Sequence, residues 1–341
     1  MIRYAAKGLS FLLKYAELID SPSGVFQEGK IQTEDGKTFR SKLLFSGPNS
    51  PTVYIQHGMS ARGIDDPRIL TLATHIKNSG ANVFLPELPE IQGLRVSTET
   101  VPNIRGLFRS IADRAGGPIS FLSASFSAGM GMVALSGPEE QRLLKACLLV
   151  GGYSDFSHTL PFTLSNYESD PYAVHVLLYN FIGKMRPDLK GLEEFYFETA
   201  LDNGLHRSGS EEKGAFLWEG LGNEEKDFVS RVRTDSDFRK DLAIGILDNL
   251  PPNFIFRNSP SNFLEAWNSP LALLHGFDDP VISPDESENL YSSLLGLGRE
   301  ETVLLKSRLI THGDHLPFYT QLGEIPKLAG LWGFFLKKTG L

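Results

Sequence analysis

The chain has 341 residues, 41% hydrophobic and 22% charged, and 33 Lys and Arg against 41 Asp and Glu give it a net charge of −8. Those proportions exclude a disordered or fibrous chain, and the acidity excludes broad nucleic-acid binding, which needs a basic face to neutralise phosphates. The single cysteine, Cys147, leaves no intrachain disulfide framework and no cysteine-rich zinc site, so the expectation is an intracellular, cytoplasmic globular protein of one large or two modest units.

In residues 1–20, Arg3, Lys7, Ser10, Lys14 and Glu17 recur every three or four positions, a polar stripe on a helix that otherwise carries Leu9, Leu12 and Leu13. An amphipathic helix of this kind suits packing on the protein body, the more ordinary outcome, or peripheral contact with a membrane surface. Lys14 interrupts the apolar run and no small-residue cleavage site follows, which argues against a secretory signal.

Residues 29–33 and 39–45 alternate as strands around Asp35-Gly36, a hairpin signal. Strand-like runs then alternate with helical ones: 52–56, 82–85, 119–124 and 146–150 as strands, 67–79 and 101–115 as helices, with a further helix opening after residue 129. The uncharged window 116–138 is long enough to cross a membrane. Ser120, Ser123, Ser125 and Ser127 interrupt it, so it reads instead as a buried strand and a tightly packed helix. From residue 156 to 267 the alternation stops; 172–184, 192–205 and 224–249 read as helices in an aromatic-rich stretch. The pattern resumes with strands 271–274 and 302–309 and helices 284–295 and 325–338. This alternation implies a mostly parallel central sheet flanked by helices, with a helical insertion late in the sheet.

Open α/β sheets place their sites beyond the carboxyl ends of strands, and three segments stand there. Ser125-Phe126-Ser127-Ala128-Gly129 follows the strand 119–124 and opens a helix. A strained strand-to-helix turn needs small residues two positions on either side of its centre. Ser127 fits between Ser125 and Gly129, with Ser125 the rival. His57-Gly58-Met59-Ser60 follows the strand 52–56; glycine lets the chain turn back over the sheet, and His57 reads as structural. The third feature is a pair: His275-Gly276-Phe277-Asp278-Asp279-Pro280-Val281 supplies a carboxylate, and His312-Gly313-Asp314-His315-Leu316 an imidazole.

Together these segments resemble the α/β-hydrolase superfamily, of the serine esterase and lipase kind, over about residues 29–155 and 268–341. The resemblance implies an α/β-hydrolase fold with a core of residues 1–155 and 268–341 and a helical lid of residues 156–267. It implies a serine hydrolase cleaving a carboxylic ester through an acyl-enzyme, with the chain order Ser127 (nucleophile), Asp279 (acid) and His315 (base). Asp278 and Asp155 remain rivals for the acid and His312 for the base. The oxyanion hole would be the N–H groups of Met59 and Ala128. The aromatic lid favours a small-molecule acyl substrate that is apolar. Peptidase, thioesterase and acyltransferase chemistry use the same triad, and a non-catalytic binding protein on this fold is the alternative of another class.

A metal site drawn from His57, His275, His312, His315 and the adjacent aspartates lacks a common zinc spacing, and no glycine-rich phosphate loop follows a strand. Neither a metal nor a cofactor is expected.

Overall fold

The computed structural model describes residues 5–15, 24–203, 205–312 and 321–341. Eight strands form one sheet: β1 (Gln27–Gln32), β2 (Thr38–Leu44), β3 (Thr52–Gln56), β4 (Asn82–Pro86), β5 (Ile119–Ala124), β6 (Leu144–Val150), β7 (Leu271–Gly276) and β8 (Thr302–Ser307). Their spatial order is β1-β2-β4-β3-β5-β6-β7-β8. β1, β2 and β4 pair antiparallel in succession, and from β4 through β8 every pairing is parallel. β3, β4 and β7 are buried at every position, as strands covered on both faces must be.

One apolar layer packs the helices Thr100–Ala115 and Phe126–Leu135 and the 156–267 stretch on one face. The other layer holds the helices Ala5–Tyr15, Pro67–Asn78 and Ile325–Thr339. The N-terminal helix docks on the C-terminal one. Gly8 lies so close to Ala329 that a Cβ there would meet its carbonyl oxygen, and Phe11 stacks on Trp332 with ring centroids 4.4 Å apart. Among the described residues no helix is long and apolar enough to cross a membrane.

Between β6 and β7 the chain runs through a series of helices from Phe156 to Ala266. The sequence pattern reads 224–249 as one helix. The structure divides it into Asn223–Thr234 and Ser236–Asp248, because the Asp235 carboxylate caps the second by accepting from the N–H groups of Asp237 and Phe238. The helix Phe156–Ser165 carries Pro161 in its interior, which hides it from a sequence reading.

Strand register sets the site. Gln56 pairs with Ser123, Ala124 with Val150, and Val150 with Leu274, so the carboxyl ends of β3, β5, β6 and β7 lie side by side. The strand order reverses between β3 and β5, which is the topological switch point where such sheets bind ligands.

Candidate active site

β5 ends at Ala124 and a helix begins at Phe126, so a single residue, Ser125, makes the turn. Its backbone sits at φ +60°, ψ −143°, a conformation nearly reserved for glycine. The Ser125 N–H is tied to the Val150 carbonyl at 2.7 Å, fixing the apex against β6. Its Oγ lies 2.7 Å from His312 Nε2, and His312 Nδ1 lies 2.8 Å from Asp279 Oδ2. With Nδ1–H donating to the carboxylate, Nε2 is left to accept the serine proton.

Asp279 is held on all sides. Its Oδ1 accepts from the N–H groups of Val281 (2.8 Å) and Ile282 (3.1 Å). A second imidazole, His275, places Nε2 3.5 Å from Oδ2 while donating to the Ile282 carbonyl at 2.9 Å; its Nδ1 accepts from Ser287 Oγ at 2.7 Å. Burial alone would raise the Asp279 carboxyl, but His312, His275 and their hydrogen bonds outweigh it and keep it well below the usual carboxylate range. Gly151, at φ +59°, passes beside the pair, where a Cβ would stand 3.5 Å from Asp279 Oδ2 and 3.8 Å from His312 Nδ1.

The structure brings together Ser125, His312 and Asp279; of the residues the sequence pattern favours, Asp279 stands in this group and Ser127 does not. Ser127 is the second residue of the helix, fully buried, with no hydrogen-bond partner for its Oγ. Its neighbour Ala128 spends its N–H on the Ser125 carbonyl at 2.9 Å, closing the first helical turn, so that donor is committed. Phe126 N–H, which sequence reasoning missed, opens the helix and has no partner within it. His315 lies outside the described residues; His312, weighed as its rival, is the imidazole at the serine.

The rivals for the acid are occupied elsewhere. Asp278 pairs with the exposed Arg308 at 3.0 Å, and Asp155 caps the helix Phe156–Ser165 through the Ser157 N–H at 2.8 Å. Met59 stands in the loop after β3, with its orientation set by His57. That imidazole accepts from the Leu88 N–H at 3.1 Å and donates from Nδ1 to the Gly58 carbonyl at 3.0 Å, the oxygen of the peptide unit that carries Met59 N–H. Burial pushes His57 down to about 4, so it stays neutral and structural. Among the described residues no three His, Cys, Asp or Glu side chains gather as metal ligands would.

A cavity of about 810 Å³ opens over Ser125 and His312. Its walls include the 156–267 stretch (Phe156, Leu160, Val176), the N-terminal helix (Leu12, Tyr15), the helix Pro67–Asn78 (Ile69, Leu72) and the C-terminal helix (Trp332).

The sheet order, the helices on both faces and the site at the switch point define the α/β-hydrolase fold. Solved structures agree. Pyrococcus horikoshii acylaminoacyl peptidase superposes with a TM-score of 0.54 at 12% identity over 95% of this chain. A Pyrococcus furiosus esterase gives 0.52 at 13% over 92% of this chain and 91% of its own length. A Mycobacterium tuberculosis puromycin-hydrolyzing peptidase gives 0.52 at 12% over 93% of this chain. The chain spans about two fifths of each peptidase, 42% and 40% of their lengths. Comparison with protein-family models and with curated proteins returned no match.

Proposed function

We propose that the chain is a serine hydrolase that cleaves a carboxylic ester through an acyl-enzyme on Ser125. The observation that carries this is the continuous path from Ser125 Oγ to His312 to Asp279, at 2.7 and 2.8 Å, on a strained turn at the switch point. Ser125 Oγ attacks the carbonyl carbon as its proton passes to His312 Nε2, giving a tetrahedral oxyanion. The N–H groups of Phe126 and Met59 are the donors in this reading. Collapse breaks the bond to the alkoxy group, which leaves with the proton from His312. Water then repeats the sequence on the acyl-enzyme, releasing the acid and restoring Ser125. Asp279 holds the imidazole tautomer and stabilises its charged form.

The stretch 156–267 is read as the cap over this site, since Phe156, Leu160 and Val176 wall the cavity. Those apolar walls favour an apolar acyl group. The esterase and peptidases of similar fold carry activities consistent with acyl transfer.

A fluorophosphonate probe and p-nitrophenyl esters test the proposal. Covalent labelling and ester turnover should occur in the native chain, vanish in Ser125→Ala and persist in Ser127→Ala. Loss in Ser127→Ala with retention in Ser125→Ala would restore the original assignment. A native chain that neither labels nor turns over ester would reject the hydrolase reading.

A further inference from the structure

The loop that presents Met59 is anchored from more than one side. His57 fixes the peptide unit before Met59, as described above. Beyond it, Ser60 Oγ donates to Asp66 Oδ2 at 2.8 Å, and the Ser60 carbonyl accepts from the Gly63 N–H at 2.8 Å. The peptide unit immediately after Met59 is held differently: its carbonyl accepts from the Tyr172 hydroxyl at 2.9 Å. Tyr172 belongs to the cap. It stands in the first turn of the helix Pro171–Met185, whose start is fixed by Pro171 and by the Asp170 carboxylate accepting from the Ala173 N–H at 3.0 Å. A bond 113 residues across the chain thus joins the first turn of a cap helix to the loop that carries one of the two oxyanion donors.

Two peptide planes meet at the Met59 Cα, the first carrying its N–H, so bonds to both planes fix the residue from either side. His57 holds one plane and Tyr172 the other. We propose that Tyr172 is a positioning residue for the oxyanion donor Met59, so that the cap's seating and the hole's competence are set by one hydrogen bond. The inference rests on the hydrolase reading above. Released from Tyr172, Met59 is anchored on the His57 side alone and its loop can shift, carrying the N–H off its aim; Tyr172 also lines the cavity, and a phenylalanine there keeps that wall in place. A group that acts only on the oxyanion changes the transition state and leaves ground-state binding alone, so the effect belongs in kcat.

The test is Tyr172→Phe, which deletes the hydroxyl and keeps the ring. Expected are a fall of about tenfold in kcat for p-nitrophenyl acetate and in the fluorophosphonate labelling rate, the effect of one lost hydrogen bond. KM should stay within twofold and the melting temperature close to native. A trifluoromethyl ketone, whose adduct carries the oxyanion, should bind about tenfold more weakly by the same reasoning. Native-like kcat and labelling in the variant would overturn the inference, as would a loss confined to KM or one in which the ketone binds unchanged. If the native chain itself fails to label, the hydrolase reading falls and this inference with it. Labelling of the native chain at an unchanged rate in Tyr172→Phe removes the inference alone.

Discussion

Ser125 offers a test of the turn that does not depend on substrate. Its backbone at φ +60°, ψ −143° lies where a side chain costs about 1–3 kcal/mol. Ser125→Ala and Ser125→Gly both delete Oγ and its bond to His312, so both are expected to be inactive and the lost bond cancels between them. They differ in the Cβ, which alanine keeps in the strained turn and glycine removes. Glycine gives back about 0.5–1 kcal/mol through the greater freedom of its unfolded chain. The glycine variant should therefore be the more stable of the two by about 1 kcal/mol. With an unfolding entropy of about 2.1 cal/mol/K per residue, that corresponds to a Tm difference of about 1–2 °C, within reach of calorimetry. Equal melting, or a higher Tm for the alanine variant, would refute the strained turn at Ser125 and leave the nucleophile assignment resting on the contacts to His312 and Asp279 alone.

Two other expectations are of different kinds. His57 and His175 are buried imidazoles, both pushed down to about 4, with Arg233 adding to burial at His175. The unfolded chain binds their protons first as pH falls from about 6.5, so stability is full above that value and declines toward pH 4, by up to about 3 kcal/mol per group. Asp279, also depressed, extends the loss to lower pH, because the unfolded carboxyl protonates before the folded one. Urea unfolding from pH 7 to 4.5 should show the slope, and His175→Gln should flatten part of it; an unaltered slope would mean that His175 is not held neutral by burial. At the cavity wall, Val176→Phe should lower kcat/KM for long-chain p-nitrophenyl esters at least tenfold relative to the acetyl ester, since each methylene denied burial costs about 0.8 kcal/mol. Equal effects on both esters would show that this part of the cavity does not receive the acyl chain.

The sheet was legible because each of its elements is written in local pattern. β3 and β5 coincide with the apolar runs at 52–56 and 119–124, and the Pro67 and Pro284 helices start where a proline at the first turn and a capping side chain require. Helices in the 156–267 stretch were less legible where an internal proline or a capping aspartate departs from simple periodicity, as at Pro161 and Asp235. Asp279 was favoured by the Pro280-Val281 that follows it, and the structure sets it against His312, with the N–H groups of Val281 and Ile282 turning it inward while Asp278 pairs with Arg308.

The serine shows where pattern and geometry part. Read as small–x–Ser–x–small, the segment admits two registers: Ser127 between Ser125 and Gly129, or Ser125 between Ser123 and Ser127. The glycine made the first more attractive. The deciding signal was the strand end: β5 runs through Ala124, so the residue that must reverse the chain is the next one, Ser125. In that register Ser123 and Ser127 occupy the two flanks where the turn tolerates only small side chains. Both are buried with hydroxyls that find no partner, as expected of residues present for their size. Gly129 serves a separate need, since a Cβ there would stand 2.4 Å from the ring of Tyr153, which packs over the helix. The glycine that pointed to Ser127 is thus a packing residue of the helix, and the turn is made two positions earlier by a serine flanked by serines.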